Sequence, residues 1–226
     1  MKDKTILITG STDGIGKQTA LELAGLGCHV IVHGRNPELT ESTANYIASK
    51  TGNNNIDFFV TDFSSLQDVK QLSDEIHTKY KNMDVLINNA GVFLNERKLS
   101  LDGFEMTFAV NHLAHFYLTN LLLDLLQNVQ QGRIVNVASM AHASELDFEN
   151  IRGKKYFDAY TAYSYSKLCN IMFTYYLAEK IFDSTITVNC LHPGVIGTKL
   201  LHAGWGSGGS GIHEGSKTSV YLATSH

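Results

Sequence analysis

An α/β fold is what this sequence predicts: a doubly wound parallel sheet with helices on both faces, in one domain over residues 1–226. Three observations predict it. Short β-branched runs alternate with longer stretches of helical periodicity, each run ends in small or polar residues, and the first run passes through a glycine-rich turn straight into a helix. With 226 residues, 43% hydrophobic and 18% charged, the chain is long enough for one well-cored domain. A net charge of -4 without a basic block leaves no footprint for nucleic acid or an anionic membrane, so a small-molecule partner is favoured. Leu121-Leu122-Leu123 is broken by Asp124, and the expectation is a chain with neither membrane span nor secretory signal. Cys28, Cys169 and Cys190 lie far apart in apolar segments, which fits buried thiols in a reducing cytoplasm rather than disulfides or a zinc motif.

Thr5 to Thr9 reads as the first strand; Gly10-Ser11-Thr12-Asp13-Gly14-Ile15-Gly16 turns the chain, and Lys17 to Ala24 continues as a helix. Glycines placed there allow a tight turn and bring a pyrophosphate close to the backbone and to a helix N-terminus. The spacing Gly-x-x-x-Gly-x-Gly departs from the Gly-x-Gly-x-x-Gly fingerprint, so a plain strand-to-helix turn is the other reading. Val30 to Val32 begins a second strand that ends at His33-Gly34-Arg35-Asn36, where a dinucleotide-binding unit meets the adenosine ribose. Arg35 stands there and no carboxylate occurs before Glu38, which favours the 2′-phosphate of NADP over the free hydroxyl of NAD. Asp13, a negative charge near the phosphates, argues mildly against it.

Pro37 to about Lys50 reads as a helix, Asn53-Asn54-Asn55 as a turn, and Ile56 to Thr61 as a third strand ending at Asp62. A helix from Leu66 to Tyr80 and a fourth strand, Val85 to Ile87, lead into Asn88-Asn89-Ala90-Gly91. Phe104 to Gln127 is apolar at helical spacing, and Asn111 within that stripe needs a buried partner. His112 and His115 have a spacing compatible with a metal but no acidic or cysteine co-ligand, so ordinary core or surface histidines are expected and no metal site. Arg133 to Val137 is the fifth strand, with Ser139 just past its end. Ala159 to Ile181 is a helix with Leu168, Ile171, Met172, Tyr175 and Leu177 as its apolar stripe. Thr185 to Leu191 is the sixth strand, ending in His192-Pro193-Gly194-Val195-Ile196-Gly197-Thr198. Glycine-rich composition makes 199–212 a flexible loop on the substrate side, either a lid anchored by Trp205 or a loose connection, before a last helix from Glu214 to Ala223.

Within the helix 159–181, Tyr163 and Lys167 stand four residues apart and therefore share a face. Tyr156, Tyr160 and Tyr165 lack a basic residue at that spacing. An ammonium beside a phenol favours the phenolate and brings a group with a pKa of about 10 closer to use as an acid or base. Taken alone, the pair reads first as a surface tyrosine and lysine that happen to be neighbours, because such pairs are frequent by chance.

Thr9-Gly10-x-x-x-Gly14-Ile15-Gly16, Asn88-Asn89-Ala90-Gly91, Asn111, Ser139, Tyr163-x-x-x-Lys167 and Pro193-Gly194 closely resemble, in order and register, the short-chain dehydrogenase/reductase family. Phe108-Ala109-Val110-Asn111-His112-Leu113 and Ser166-Lys167-Leu168 look most like its retinol dehydrogenase and WW-domain oxidoreductase branch. The resemblance implies a single Rossmann domain carrying both cofactor and catalytic residues, and hydride transfer between NADP(H), with NAD(H) as the lesser alternative, and a carbonyl or alcohol. It implies Tyr163 as the acid/base and Lys167 as the group that lowers its pKa and holds the nicotinamide ribose. Ser139 would bond the reacting oxygen, and Asn111 would position a water linking Lys167 to solvent. Gly10, Ser11, Thr12, Gly14, Ile15 and Gly16 would cradle the pyrophosphate and Arg35 the 2′-phosphate. Asp62 would meet the adenine, Asn89 the adenosine-side ribose, and the backbone around Ile196 with Thr198 the carboxamide, with Phe63, Ala90, Gly91, Pro193 and Gly194 as further cofactor contacts.

The family branch usually adds a seventh strand after the last helix; here the expectation is a sheet without that edge, through truncation or loss, and a homo-oligomer is compatible with the reading. Two competing functions remain. A catalytically silent dinucleotide sensor or scaffold would have no need of a tuned phenol. A serine hydrolase built on Ser139 and His142 would lack the Gly-x-Ser-x-Gly elbow.

Overall fold

Short apolar runs form six strands in the computed structural model, which describes residues 1–225: β1 (Thr5–Ile8), β2 (His29–Gly34), β3 (Ile56–Val60), β4 (Val85–Asn88), β5 (Gly132–Val137) and β6 (Ile186–Leu191). All neighbours pair in parallel, in the order β3-β2-β1-β4-β5-β6. Every residue of β1 and β4 is buried, which is why these runs are continuously apolar rather than alternating. The order reverses between β1 and β4, and the crevice there opens at the carboxyl ends of the strands.

The helices are α1 (Gly14–Gly25), α2 (Pro37–Thr51), α3 (Leu66–Lys79), α4 (Met106–Phe108), α5 (Ala114–Leu121), α6 (Leu123–Gln127), α7 (Ala159–Lys180), α8 (Lys199–Trp205) and α9 (Ile212–Thr224). Helices α1, α2 and α9 close one core around Ile6, Ile8, Leu23, Val30, Val32, Ile47 and Ile87. Helices α3, α5, α6 and α7 close the other around Leu7, Ile31, Leu72, Ile76, Leu86, Leu118 and Phe173. Their ends follow from local chemistry. Asn36, with Pro37 behind it, starts α2 by accepting from Leu39 N at 2.8 Å, and Gly52 ends it in the left-handed region at φ 69°. Ser65 caps α3 and Asp158 caps α7, each accepting a backbone N–H three residues on.

Four details differ from the sequence expectation. The helix expected over 104–127 is interrupted: a π turn, Ala109–Leu113, separates α4 from α5, and Leu122 leaves the helical region before α6. The inward face of α7 is mixed rather than a purely apolar stripe. Tyr163, Ser166, Lys167, Asn170 and Thr174 are buried beside Cys169, Phe173 and the expected Leu177, while Met172 and Tyr175 are exposed; buried partners on β5 and the π turn satisfy the polar groups. The segment 199–212, expected as a flexible loop, contains α8, started by Thr198 accepting from Leu201 N at 3.2 Å. Finally, α9 begins at Ile212 rather than Glu214. Among the described residues β6 is an edge of the sheet and no helix is long and apolar enough to cross a membrane.

Candidate active site

A cleft of about 1000 Å³ lies beyond the strand ends. It gathers Gly10, Thr12, Gly14, Ile15 and Gly16 after β1, Arg35 after β2, Asp62 and Phe63 after β3, and Asn89, Ala90 and Gly91 after β4. Ser139 follows β5, Pro193, Gly194, Ile196 and Thr198 follow β6, and Tyr163 and Lys167 come from α7. Of the residues singled out in the sequence for cofactor or catalysis, Ser11 and Asn111 stay outside its wall; both are fully buried.

The turn after β1 is shaped by close approach. Gly10 has φ +61° and a Cβ there would lie 2.7 Å from Ala90 Cα; Gly14 has φ +53°. Ser11, expected to touch a cofactor, instead holds the turn together: its hydroxyl donates to Ile8 O at 2.8 Å and accepts from His33 N at 2.9 Å. Asn89 Nδ2 donates to Thr9 O at 2.8 Å and Gly10 O at 3.1 Å, which leaves its Oδ1 for a ligand. The turn thus offers bare backbone at the glycines, with Asp13 capping the N-terminus of the 12-residue helix behind them. Arg35 is exposed on the rim, preceded by Gly34, whose missing side chain makes room for Thr12 and Thr40.

The same cleft carries the ionisable groups. Tyr163 is 5% exposed; burial pushes its phenol above the ordinary value, and a hydrogen bond from Ser139 pulls it part of the way back. Ser139 accepts from Ala141 N at 3.1 Å, so its own proton is free to be donated. Lys167 is fully buried, its Nζ donates to Val137 O at 3.0 Å and lies 5.5 Å from the Tyr163 ring centre, and burial pushes its pKa down to about 8. Desolvation sets the direction for Tyr163, and the group that lowers its phenol is Ser139 rather than the expected Lys167.

Asn111 found the partner its apolar surroundings demand. Its Oδ1 accepts from Val92 N at 2.7 Å, and its Nδ2 donates to Val92 O at 3.0 Å and Ser166 Oγ at 3.1 Å. The side chain thereby clamps the strand-β4 loop to α7. Its carbonyl accepts from Asn170 Nδ2 and lies 3.0 Å from His115 Nδ1. That bond makes Nδ1 the protonated nitrogen, so Thr9 Oγ1 donates to Nε2 at 2.8 Å while accepting from Asn89 N and Ala90 N. His112 Nδ1 lies 3.0 Å from Asn170 Oδ1, so both histidines take part in the hydrogen-bonded scaffold.

Burial keeps His115 neutral, with its pKa pushed down to about 3, and His33, which accepts from Gly10 N, to about 4. In the unfolded chain both titrate at the ordinary value of 6.5. Below that pH the unfolded state takes up protons the folded state refuses, so stability is complete above it and falls as acid approaches the folded values. His77, raised through Ser73 and Asp124, opposes weakly from the surface. The melting temperature is expected to drop between about pH 7 and about pH 5, before most carboxylates titrate. A flat profile over that range would contradict neutral burial.

Other lining residues had no motif to announce them. Tyr160 shares the α7 face one turn before Tyr163, a spacing that points it to the same cleft. Trp205 on α8 packs its ring 5.4 Å from Tyr163 and 5.1 Å from Phe93, which itself stands 5.6 Å from Tyr163. His192 accepts from Met140 N at 3.3 Å and so steadies the turn next to Ser139.

A family model described as short chain dehydrogenase matches residues 4–205. Retinol dehydrogenase 13 of Homo sapiens is 40% identical over 223 residues, covering 98% of this chain and 64% of the relative. Polyprenol dehydrogenase of Homo sapiens is 36% identical over 211 residues, covering 90% and 64%. The chain thus spans less than two thirds of the length of these relatives. Among solved structures, a protein from Mycobacterium paratuberculosis superposes with TM-score 0.84 at 32% identity, covering 100% of this chain and 78% of that one. A short chain dehydrogenase from Escherichia coli CFT073 complexed with NADPH gives 0.81 at 26% identity, covering 99% and 91%.

Proposed function

Because this chain belongs to the short-chain dehydrogenase family of oxidoreductases, we propose that it transfers hydride between NADP(H) and an apolar carbonyl or alcohol, with Tyr163 as general acid and base. The observation that carries the reading is that Ser139, Tyr163 and Lys167 meet in the same cleft as the glycine cradle. A bound nicotinamide supplies the hydride chemistry; position and proton transfer fall to the protein.

In the direction of reduction, Tyr163 gives its proton to the substrate oxygen, and its raised pKa keeps that proton in place at neutral pH until it is needed. Ser139 donates to the same oxygen and orients it. The Lys167 ammonium, near the Tyr163 ring and fixed by Val137 O, stabilises the phenolate left behind. In alcohol oxidation the phenolate takes the proton back. Asn111 acts by holding Val92 and Ser166 in place. Gly10 to Gly16 would hold the pyrophosphate, Asp62 and Phe63 the adenosine, Asn89 Oδ1 the ribose, and Ile196 and Thr198 the carboxamide end.

The preference for NADP rests on Arg35 at the ribose end and is supported by the NADPH complex of the E. coli relative. Arg35→Ala is expected to weaken NADPH binding roughly tenfold to a hundredfold and leave NADH binding nearly unchanged. Equal losses for both cofactors in a titration would remove Arg35 from the 2′-phosphate. An apolar substrate is supported by Met140, Tyr160, Val195 and Trp205, all lining the cleft and substantially exposed, and by the names of the relatives, a retinol and a polyprenol dehydrogenase. The test is turnover with NADPH and NADH over a panel of aldehydes and ketones that includes retinal and polyprenyl aldehydes. Tight cofactor binding without turnover of any carbonyl would favour a silent dinucleotide sensor instead.

A further inference from the structure

Asp13 poses a problem for any anionic ligand of this cleft. Its Oδ1 accepts from Gly14 N at 2.8 Å and caps α1, so a carboxylate occupies the position to which a helix N-terminus would draw a phosphate. Its other oxygen is paired across the mouth of the cleft: Lys199 Nζ lies 2.6 Å from Asp13 Oδ2. Both residues line the cavity, and they belong to its two lips, the glycine turn and the start of α8. The lips lie close together, since a Cβ added to Gly14 would come within 3.5 Å of Thr198 Cγ2. Beyond this pair the Lys199 side chain stands in solvent, 89% exposed. A flexible stem ending in three donors can exchange one anion for another without moving the backbone.

We propose that Lys199 is a further cofactor-binding residue, held by Asp13 across the mouth of the cleft and transferred to the dinucleotide's diphosphate when that ligand enters. The proposal rests on the dinucleotide reading of the cleft. A diphosphate carries more negative charge than a carboxylate, so the exchange is downhill for Lys199, and the carboxylate left on Asp13 opposes the ligand. The pair therefore tunes affinity in both directions: Lys199 adds to it, Asp13 subtracts.

Trp205 is the only tryptophan in the chain and packs against Tyr163, so its fluorescence reports cofactor binding without turnover. Binding of NADPH to the wild type, Lys199→Ala, Asp13→Asn and the double variant is measured at low and moderate salt. Lys199→Ala is expected to weaken binding about tenfold at low salt and to flatten the salt dependence. Asp13→Asn is expected to tighten binding a few-fold, and the double variant to bind more weakly than Asp13→Asn alone. Unchanged affinity in Lys199→Ala overturns the proposal. So does a double variant matching Asp13→Asn, because Lys199 would then only neutralise Asp13. In either case the dinucleotide reading stands as long as the wild type binds. A wild type that binds neither NADPH nor NADH overturns both.

Discussion

Tyr163→Phe is expected to lower kcat by about three orders of magnitude while leaving NADPH affinity within about threefold of wild type. The size of the effect follows from the role proposed for the hydroxyl: Ser139 is far too weak an acid to replace it, and Lys167 is committed to Val137 O. The selectivity follows from packing. The ring contacts of Tyr163 with Phe93 and Trp205 survive in phenylalanine, so the cleft keeps its shape and only the proton is lost. Steady-state kinetics on the best substrate, with Trp205 fluorescence for affinity, separate the two quantities. A sensor that merely reports cofactor occupancy would pass this substitution unchanged.

Gly16→Ala is expected to destabilise the fold by about 2–3 kcal/mol and to weaken dinucleotide binding by at least about tenfold. A Cβ there overlaps Gly10 O and Asn89 Nδ2 and comes within 3.0 Å of Ser11 Cα. Two of the three obstacles are backbone of the turn itself. The third is an amide already bonded to Thr9 O and Gly10 O, so none can yield without opening the cradle. Gly25, at the other end of α1, would have nothing within 4 Å of an added methyl and is the matched control. Alanine there should be neutral or slightly stabilising by urea denaturation. Equal stability of the two variants would mean the turn relaxes more readily than its contacts indicate.

What the sequence disclosed and what it hid divide along the range of the interactions. Strand-end glycines, the Arg35 position and the Tyr163 to Lys167 spacing are local patterns, and each lies where its pattern pointed. The break at Ala109–Leu113 was hidden because the apolar periodicity of 104–127 continues through it, while the bond that Asn111 makes there reaches Val92, 19 residues away. The polar part of the inner face of α7 was hidden for a similar reason: hydrophobic residues at helical spacing also lie on its outer face, and hydrogen-bond partners on β5 and the π turn are what allow polar groups to be buried. His115 gave no motif, yet it ties Thr9 to the Asn111 carbonyl across the sheet. The Asp13–Lys199 pair joins residues at opposite ends of the chain, and Asp13 could only be read as an unfavourable charge until its partner was in view.

Direct transfer of hydride with Tyr163 as proton donor is the central claim, and isotopic labelling tests it most directly. NADPH deuterated at the reactive nicotinamide carbon is mixed with wild-type protein and an apolar aldehyde, and the alcohol is analysed for label. The prediction is one deuterium on the former carbonyl carbon, with none formed in the Tyr163→Phe variant on the same timescale. Tight NADPH binding with no labelled alcohol from any carbonyl, or full labelling by Tyr163→Phe, would contradict it.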